Sequence, residues 1–512
     1  MVAGSLPFHS EKLLMDIQRF FDHWQLEENP FQAEEARNDS VYARTIGSTV
    51  THPDFQKIFG QPTVPSTSIV FGEKGSGKTA MRLMMERRYD AHNATHSEGR
   101  VWMVRYDDLN PFLDQLSHAL TPRDPEACLD HIRLADHQDA ILSLAVTDLV
   151  DQLLSDSKDT ATRSQRKTVR KLSRELRLDL TVLALLYDNP RHGERESRWH
   201  RLKRLLRVGN WINRKSHTLL LLGLAAVGLT SGGLWYFSET IRWEWQLLAV
   251  AGIAGFFGFG FTWLSRFFKN GFRARKVCRE IRTIARNVRF FTDGLWDLPS
   301  RHGVESLLPE KGDQDKRYEA TKRFLQIINR LSYGSLTVFV DRIDEPVVVN
   351  SDGERMRKLV WPMLNNKFLQ QEGFGAKMLL PIELGHLLER ADADFKQQAR
   401  LDKQNMINPL RWTGSTLYDL CTSRFRNCQP EGAERIGQLN ELFEDDVDER
   451  DLVDALDQMH QPRDAFKFLY AVIQRHCQNT TGDTSDPKIP KLTLDFVRQE
   501  QSQRVVNLYR SR

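Results

Sequence analysis

Residues 72–79, with the sequence GEKGSGKT, have the types and spacing of a loop that binds phosphate groups. Glycines allow the backbone N–H groups of such a loop to turn towards an anion. Lys78 then supplies positive charge for the β- and γ-phosphates, and the Thr79 hydroxyl is a ligand for Mg²⁺. We therefore expect the whole loop to bind ATP with Mg²⁺, through Gly72, Glu73, Lys74, Gly75, Ser76, Gly77, Lys78 and Thr79.

A loop of this kind also needs a carboxylate at the end of a neighbouring buried strand, to hold the Mg²⁺ shell. The apolar, β-branched run 336–340 predicts such a strand, and Asp341 follows it as the expected metal residue. Two more carboxylates come next, Asp344 and Glu345, and either can orient or deprotonate the attacking water. We favour Asp344 over Glu345, although both can instead be solvated turn residues.

The elements that must position these residues can be read from apolar runs and helical patterns. Residues 67–71 lead into the loop as a buried strand, and 80–89 leave it as a helix. Further strands are predicted at 100–105, 377–381 and 405–412. Because strands alternate with helices, we expect an α/β fold with a doubly wound parallel sheet.

A C-terminal lid is predicted around a helix at 465–477. Pro462 suits the first turn of a helix, and Arg463 follows it directly. From there Arg463 can reach the γ-phosphate, or it can be a surface residue. A final helix is expected at 493–509.

Two stretches without a charged side chain, 218–237 and 245–265, each have the length of a membrane-spanning helix. The short link between them predicts an antiparallel hairpin in the lipid bilayer. Basic residues concentrate before and after the hairpin, so both flanks are expected on the cytoplasmic side of the inner (plasma) membrane, together with the ATP-binding part. The alternative is a pair of helices buried in a soluble core.

Partners are constrained by charge and composition. The formal net charge of +4 is too small to indicate nucleic acid, and no sequence-specific nucleic-acid-binding element is apparent. The basic flanks of the hairpin suit anionic lipid headgroups or nucleic acid, and their position beside the hairpin favours lipid. Five widely spaced cysteines indicate reduced thiols, and residues 1–12 lack the pattern of a secretory signal peptide.

These features predict six consecutive segments. They are an N-terminal helical segment (1–65), the first part of the nucleotide-binding core (66–110), a cytoplasmic helical insertion (111–197), the transmembrane hairpin with its basic flanks (198–289), the second part of the core (290–420), and the helical lid with a C-terminal tail (421–512).

The order of these motifs resembles the KAP family of P-loop NTPases. In that family, membrane helices are inserted between the phosphate-binding loop (Walker A) and the acidic strand end (Walker B). Here GEKGSGKT, the hairpin, VFVDRIDE at 338–345 and QPRDAFKFL at 461–469 occur in that sequence. One departure is Arg342, where the family often has a second aspartate.

The resemblance implies a membrane-tethered, self-associating ATPase of the signalling type, in bacteria sometimes linked to exclusion of bacteriophage. An unknown sensor or effector protein is the expected partner, and an arginine from a neighbouring subunit, Arg424 or Arg426, is a candidate aid to hydrolysis. The alternative function is a nucleotide-switched membrane scaffold with little or no hydrolysis. Arg342 favours this alternative somewhat.

Overall fold

The computed structural model describes residues 15–32, 36–45, 51–156, 160–190, 195–208, 214–237, 243–285, 287–298, 306–310, 314–430, 437–480 and 487–510. The chain is mostly helical and contains one sheet of five parallel strands. It divides into two compact units. The first comprises Met1–Thr95, Phe339–Arg342 and Ala376–Arg512, and the second comprises His96–Val338 and Ile343–Gly375.

The five strands of the sheet have the order β2-β3-β4-β1-β5. β1 pairs in parallel with β4, where Val70 lies opposite Leu379, and with β5, where Val70 lies opposite Ile407. All residues of β1 and β4 are buried, which explains why their sequences are nearly continuous apolar runs. The predicted α/β class with a parallel sheet is confirmed. The strands are β1 Ser68–Gly72, β2 Arg100–Tyr106, β3 Tyr333–Val340, β4 Phe374–Pro381 and β5 Asn405–Ile407.

The predicted strand at 405–412 is wrong in length, because β5 ends at Ile407. Pro409 follows two residues later and has no N–H to donate, so the hydrogen-bond ladder cannot run through it. The backbone N–H of Leu410 bonds once more to the carbonyl of Phe71, at 2.7 Å. The segment after β5 therefore stays beside the end of β1 as a loop, and this loop carries Trp412.

The first unit packs helices from both ends of the chain around one apolar core. Phe20, Phe425 and Phe468 belong to this core and are fully buried. The predicted lid helix is longer than expected and begins at Pro462. The helices of this unit are Ile17–His23, Ser40–Thr45, Phe55–Phe59, Lys78–Thr95, Ile382–Glu389, Ala393–Ala399, Gly414–Asn427, Glu449–Asp457, Pro462–Asn479 and Lys491–Arg510, with 3-10 turns at Leu401–Lys403 and Leu439–Leu442.

The second unit is built around the helix Leu134–Leu154, most of whose residues are buried. Polar residues are buried there as well as apolar ones, among them Asp136, His137 and Asp139. The other helices are Asn110–Leu120, Thr160–Lys171, Arg174–Tyr187, Arg195–Leu206, Arg214–Phe237, Trp243–Glu280, Val288–Asp297, Asp315–Arg330, Gly353–Val360 and Asn366–Leu369, with 3-10 turns at Glu126–His131 and Trp361–Met363.

The two helices Arg214–Phe237 and Trp243–Glu280 pack against each other. A Cβ atom placed on Gly255 would lie 3.4 Å from Leu224, and one placed on Gly260 would lie 3.6 Å from Leu221. Both distances are ordinary van der Waals contacts, so alanine would also fit at these two positions. The link at 238–242 lies outside the described residues. Within the described ranges, no helix combines the length and the hydropathy needed to cross a bilayer.

A lysine is buried inside the first unit without a carboxylate among its hydrogen-bond acceptors. Lys377, on β4, is 1% exposed. Its Nζ donates to the carbonyl of Ile58 at 2.8 Å and to the hydroxyls of Ser66 at 3.0 Å and Ser68 at 3.3 Å. Burial lowers the pKa of Lys377 from 10.5 to about 7, because the charged form is desolvated.

We expect this lysine to make stability depend on alkaline pH. Between pH 7 and about 10, the unfolded chain binds a proton at Lys377 that the folded chain does not bind, so stability rises with pH there and levels off on either side. The rise should approach about 1.4 kcal/mol per pH unit. Unfolding of the wild type and Lys377→Met at pH 7.5 and 9.5 tests this expectation. If the free energy of unfolding changed equally in the two proteins between these pH values, Lys377 would not be the cause.

Candidate nucleotide-binding site

The predicted phosphate-binding loop lies between a buried strand and a long helix. β1 ends at Gly72, and the helix Lys78–Thr95 begins six residues later. The loop closes on itself through a hydrogen bond from the N–H of Ser76 to the carbonyl of Glu73, at 3.2 Å. The first backbone bond of the helix runs from Met81 to Gly77, at 2.9 Å. The N-terminal end of the helix, which carries partial positive charge, is thus placed at the loop.

Two glycines of the loop have backbone conformations that other residues rarely adopt. Gly75 has φ of +106° and Gly77 has φ of +89°. At Gly75 the space is also restricted, because a Cβ atom would lie 2.9 Å from Oε1 of Gln461 and 3.1 Å from Cβ of Arg463. Glycine is therefore required at position 75 for both its conformation and its size.

The lysine and the threonine of the loop make different contacts. Nζ of Lys78 donates to the carbonyls of Gly72, at 2.7 Å, and Glu73, at 2.9 Å, so its charge lies over the loop. Oγ1 of Thr79 donates to Oδ2 of Asp341, at 3.2 Å. Asp341 directly follows β3 and is 2% exposed. The two predicted metal residues are thus brought together although 262 positions separate them.

Arg82 belongs to this site and was missed by the sequence reasoning. Its Nε donates to Oδ2 of Asp341 at 3.1 Å, and its Nη1 donates to Glu86. Arg82 is buried, with 2% of its side chain exposed. Thr79, Arg82 and Glu86 are three and four positions apart and so share one face of the helix, which is the signal that the sequence offered.

The other side of the Asp341 carboxylate is held by the backbone. Oδ1 of Asp341 accepts a hydrogen bond from the N–H of Arg342, at 2.9 Å, and Arg342 has φ of +61°. Together with the two donors on Oδ2, this contact fixes the orientation of the carboxylate.

The lid contacts the loop through its first residues. Nε2 of Gln461 donates to the carboxylate of Glu73, and the N–H of Arg463 approaches the carbonyl of Gly75 at 3.5 Å. From the loop after β5, Nε1 of Trp412 donates to the carbonyl of Ser76 at 2.9 Å. The start of the lid helix therefore lies at the phosphate-binding loop. Contact between Arg463 and a phosphate stays a prediction.

Two further predicted residues follow Asp341 in the chain. Asp344 and Glu345 belong to the second unit, where the carbonyl of Asp344 accepts hydrogen bonds from the N–H and the hydroxyl of Ser351, at 3.0 and 3.2 Å. Their role in hydrolysis stays a prediction.

Arg424 is not available to a neighbouring subunit, contrary to our expectation. It is 2% exposed and pairs with Asp39 at 2.7 Å. Its Nε donates to the carbonyl of Pro30 at 2.9 Å, and its guanidinium lies 4.5 Å from the centre of the Phe466 ring. Arg424 therefore links the N-terminal segment to the lid helix. Arg426 is exposed.

The residues present fit ATP and Mg²⁺. Oxygen atoms of Thr79 and Asp341 are ligands of the kind that Mg²⁺ prefers. Oγ of Ser76 is buried and has no hydrogen-bond partner within the described part of the chain, so it is a donor left for a phosphate oxygen. The described residues contain no group of three or more His, Cys, Asp or Glu placed to hold a metal ion.

Comparison of the chain with family models, with curated proteins and with solved structures gives no match. The site is therefore interpreted from its own residues and their contacts.

Proposed function

We propose that this protein is a membrane-anchored, Mg²⁺-dependent ATPase of the KAP type that self-associates and acts in signalling or phage defence. The observation that carries the nucleotide-binding part is the contact between Thr79 and Asp341, at 3.2 Å. It unites the end of the phosphate-binding loop with the carboxylate at the end of a buried strand, a combination that Mg²⁺-nucleotide chemistry needs. KAP membership and phage defence come from the resemblance in motif order.

Each residue of the site has a defined part in this proposal. The N–H groups of the loop and the ammonium of Lys78 bind the phosphates and stabilise the charge that develops on them. Thr79 and Asp341 would hold Mg²⁺, which would supply positive charge to offset that of the phosphates. Asp344, or Glu345 beside it, orients or deprotonates the attacking water. Arg463 contacts the γ-phosphate from the lid.

Support for a membrane anchor comes from the surface of the two paired helices. Residues 218–237 and 245–265 contain no charged side chain. Large apolar side chains are exposed on both helices, for example Leu229 at 78% and Phe261 at 74%. Exposed apolar area of this extent marks an interaction site. In the proposal these spans lie in the inner membrane, and the ATPase part faces the cytoplasm.

A nucleotide-switched scaffold with little turnover is the second candidate function. The specific observation in its favour is Arg342, an arginine directly after Asp341 whose own N–H occupies Oδ1 of that carboxylate. Many ATPases of this broad class have a second acidic residue at this position, whereas this chain has a positively charged arginine.

The test is Mg²⁺-dependent ATP hydrolysis by the detergent-solubilised full chain over a range of protein concentrations. We expect turnover per subunit to rise with concentration. Asp341→Asn should lower turnover at least roughly tenfold while ATP still binds, because the phosphate contacts of the loop remain. Glu389→Gln, on an exposed helix end, is the matched control for loss of one carboxylate. ATP binding by the wild type without turnover at any concentration would favour the scaffold.

A further inference from the structure

The helix Trp243–Glu280 carries an apolar stripe on a face whose described side chains are exposed. Its members recur at spacings of three, four or seven residues, which places them in line along one face of a helix. The second membrane span was predicted to end at Ser265, but the stripe continues to Phe272, about 10 Å further along the helix. Its exposed members are Val250, Phe257, Phe261, Leu264, Phe268 and Phe272, the last two with 64% and 70% of their surface exposed.

The opposite face of the same turns is occupied by the protein itself. Ala274 and Val277 are buried there. The guanidinium of Arg266 donates to the carbonyl of Leu298 at 3.2 Å and lies 4.9 Å from the centre of the Trp296 ring. Arg266 therefore serves the packing of the helix, although it is the first residue of the basic flank.

Basic residues continue the stripe where the aromatic residues end. Arg275 and Arg279 follow Phe272 by three and seven positions, so they lie on the same face, and both are exposed. Lys276, beside them, pairs with Glu310 at 3.5 Å. Residues 268–279 contain no acidic residue. One face thus passes from phenylalanine to arginine within about two turns of helix.

We propose that this face of residues 268–279 lies on an anionic lipid surface. Phe268 and Phe272 enter the acyl boundary, and Arg275 and Arg279 bind headgroup phosphates. Apolar residues followed by basic residues along one face are typical of a helix that leaves a bilayer, because the cations then lie at the level of the headgroups. Their positive charge is complementary to anionic lipid. The inference rests on the membrane anchor proposed above and adds the depth of the helix and the residues that contact the lipid.

Depth is tested with a nitroxide label on the full chain in nanodiscs of POPC and POPG at 3:1. The background is Cys278→Ser, since the other four cysteines are buried. Labels at Phe261→Cys, Phe272→Cys and Arg279→Cys are compared by their accessibility to oxygen and to a nickel chelate. We expect oxygen to be favoured at 261 and 272, and nickel at 279. If the label at 261 reported lipid but the label at 272 reported water, this inference alone would be overturned. If both labels reported water, the membrane anchor would be overturned as well.

A second experiment tests the class of lipid. The protein is extracted from these nanodiscs, and the ratio of POPG to POPC among the lipids that it retains is measured. Arg275→Gln/Arg279→Gln should lower this ratio on the order of tenfold. Arg170→Gln/Lys171→Gln is the matched control, because it removes two exposed basic residues from the helix Thr160–Lys171. Equal ratios in the two double variants would overturn the assignment of the headgroup contact to Arg275 and Arg279.

Discussion

Hydrolysis of ATP should fall roughly 10²–10³-fold when Lys78 is replaced by alanine. The ammonium of Lys78 lies over the loop, 2.7 Å from the carbonyl of Gly72 and 2.9 Å from that of Glu73. These two carbonyl groups hold the side chain of Lys78 in place. Removal of such a fixed positive charge destabilises the transition state more than the ground state, because the negative charge on the phosphates is redistributed during transfer.

The measurement is the turnover number at saturating Mg²⁺ and ATP, with the thermal unfolding midpoint recorded in parallel. Lys57→Ala is the control, because Lys57 is an exposed lysine of the helix Phe55–Phe59 in the same unit. It should leave both quantities unchanged. If Lys78→Ala retained more than about a tenth of wild-type turnover, the phosphate-binding role of the loop would be contradicted.

The parts of this site that were predictable are local in the chain. The strand at 67–71 is β1 at Ser68–Gly72, and the helix at 80–89 is the core of Lys78–Thr95. A buried parallel strand shows as an apolar run, and a glycine-rich loop shows as a fixed spacing, so neither needs knowledge of distant residues. The strand before Asp341 was recognisable for the same reason.

The parts that were missed depend on contacts between distant residues. Arg82 looks like a solvated residue of a polar helix, and only the position of Asp341, 259 residues away, shows that its charge is buried and paired. Arg424 was expected to be accessible, yet Asp39 and Pro30 hold it inside the first unit. Sequence spacing predicts which residues share a helix face, but not which distant residues that face contacts.

A buried ion pair in the second unit should have a large effect on the free energy of unfolding. Arg317 binds Asp139 through two hydrogen bonds, from Nε at 3.2 Å and from Nη2 at 3.0 Å. The hydroxyl of Tyr187 donates to the same carboxylate at 3.1 Å. Both charged residues are buried, with 2% and 0% of their side chains exposed. Three helices that are distant in sequence are joined at this point.

Arg317→Met should lower the free energy of unfolding by about 3–5 kcal/mol, because it leaves a carboxylate buried without its counter-charge. Arg323→Met on the same helix is the control. Arg323 also pairs with carboxylates, Glu319 at 2.7 Å and Asp179 at 3.4 Å, but it is 34% exposed, so we expect a loss below about 1 kcal/mol. Equal losses in the two variants, measured by chemical unfolding, would contradict the importance of burial.

The pH dependence of Arg317→Met separates lost charge pairing from lost packing. Burial raises the pKa of Asp139, and Arg317 opposes that rise. Without Arg317 the pKa must rise further, so the folded variant takes up a proton at Asp139 that the unfolded chain releases above its ordinary pKa near 4. Stability of the variant then falls as pH rises through this window. The deficit relative to wild type should therefore be smaller at pH 5 than at pH 8, whereas lost packing alone would give the same deficit at both.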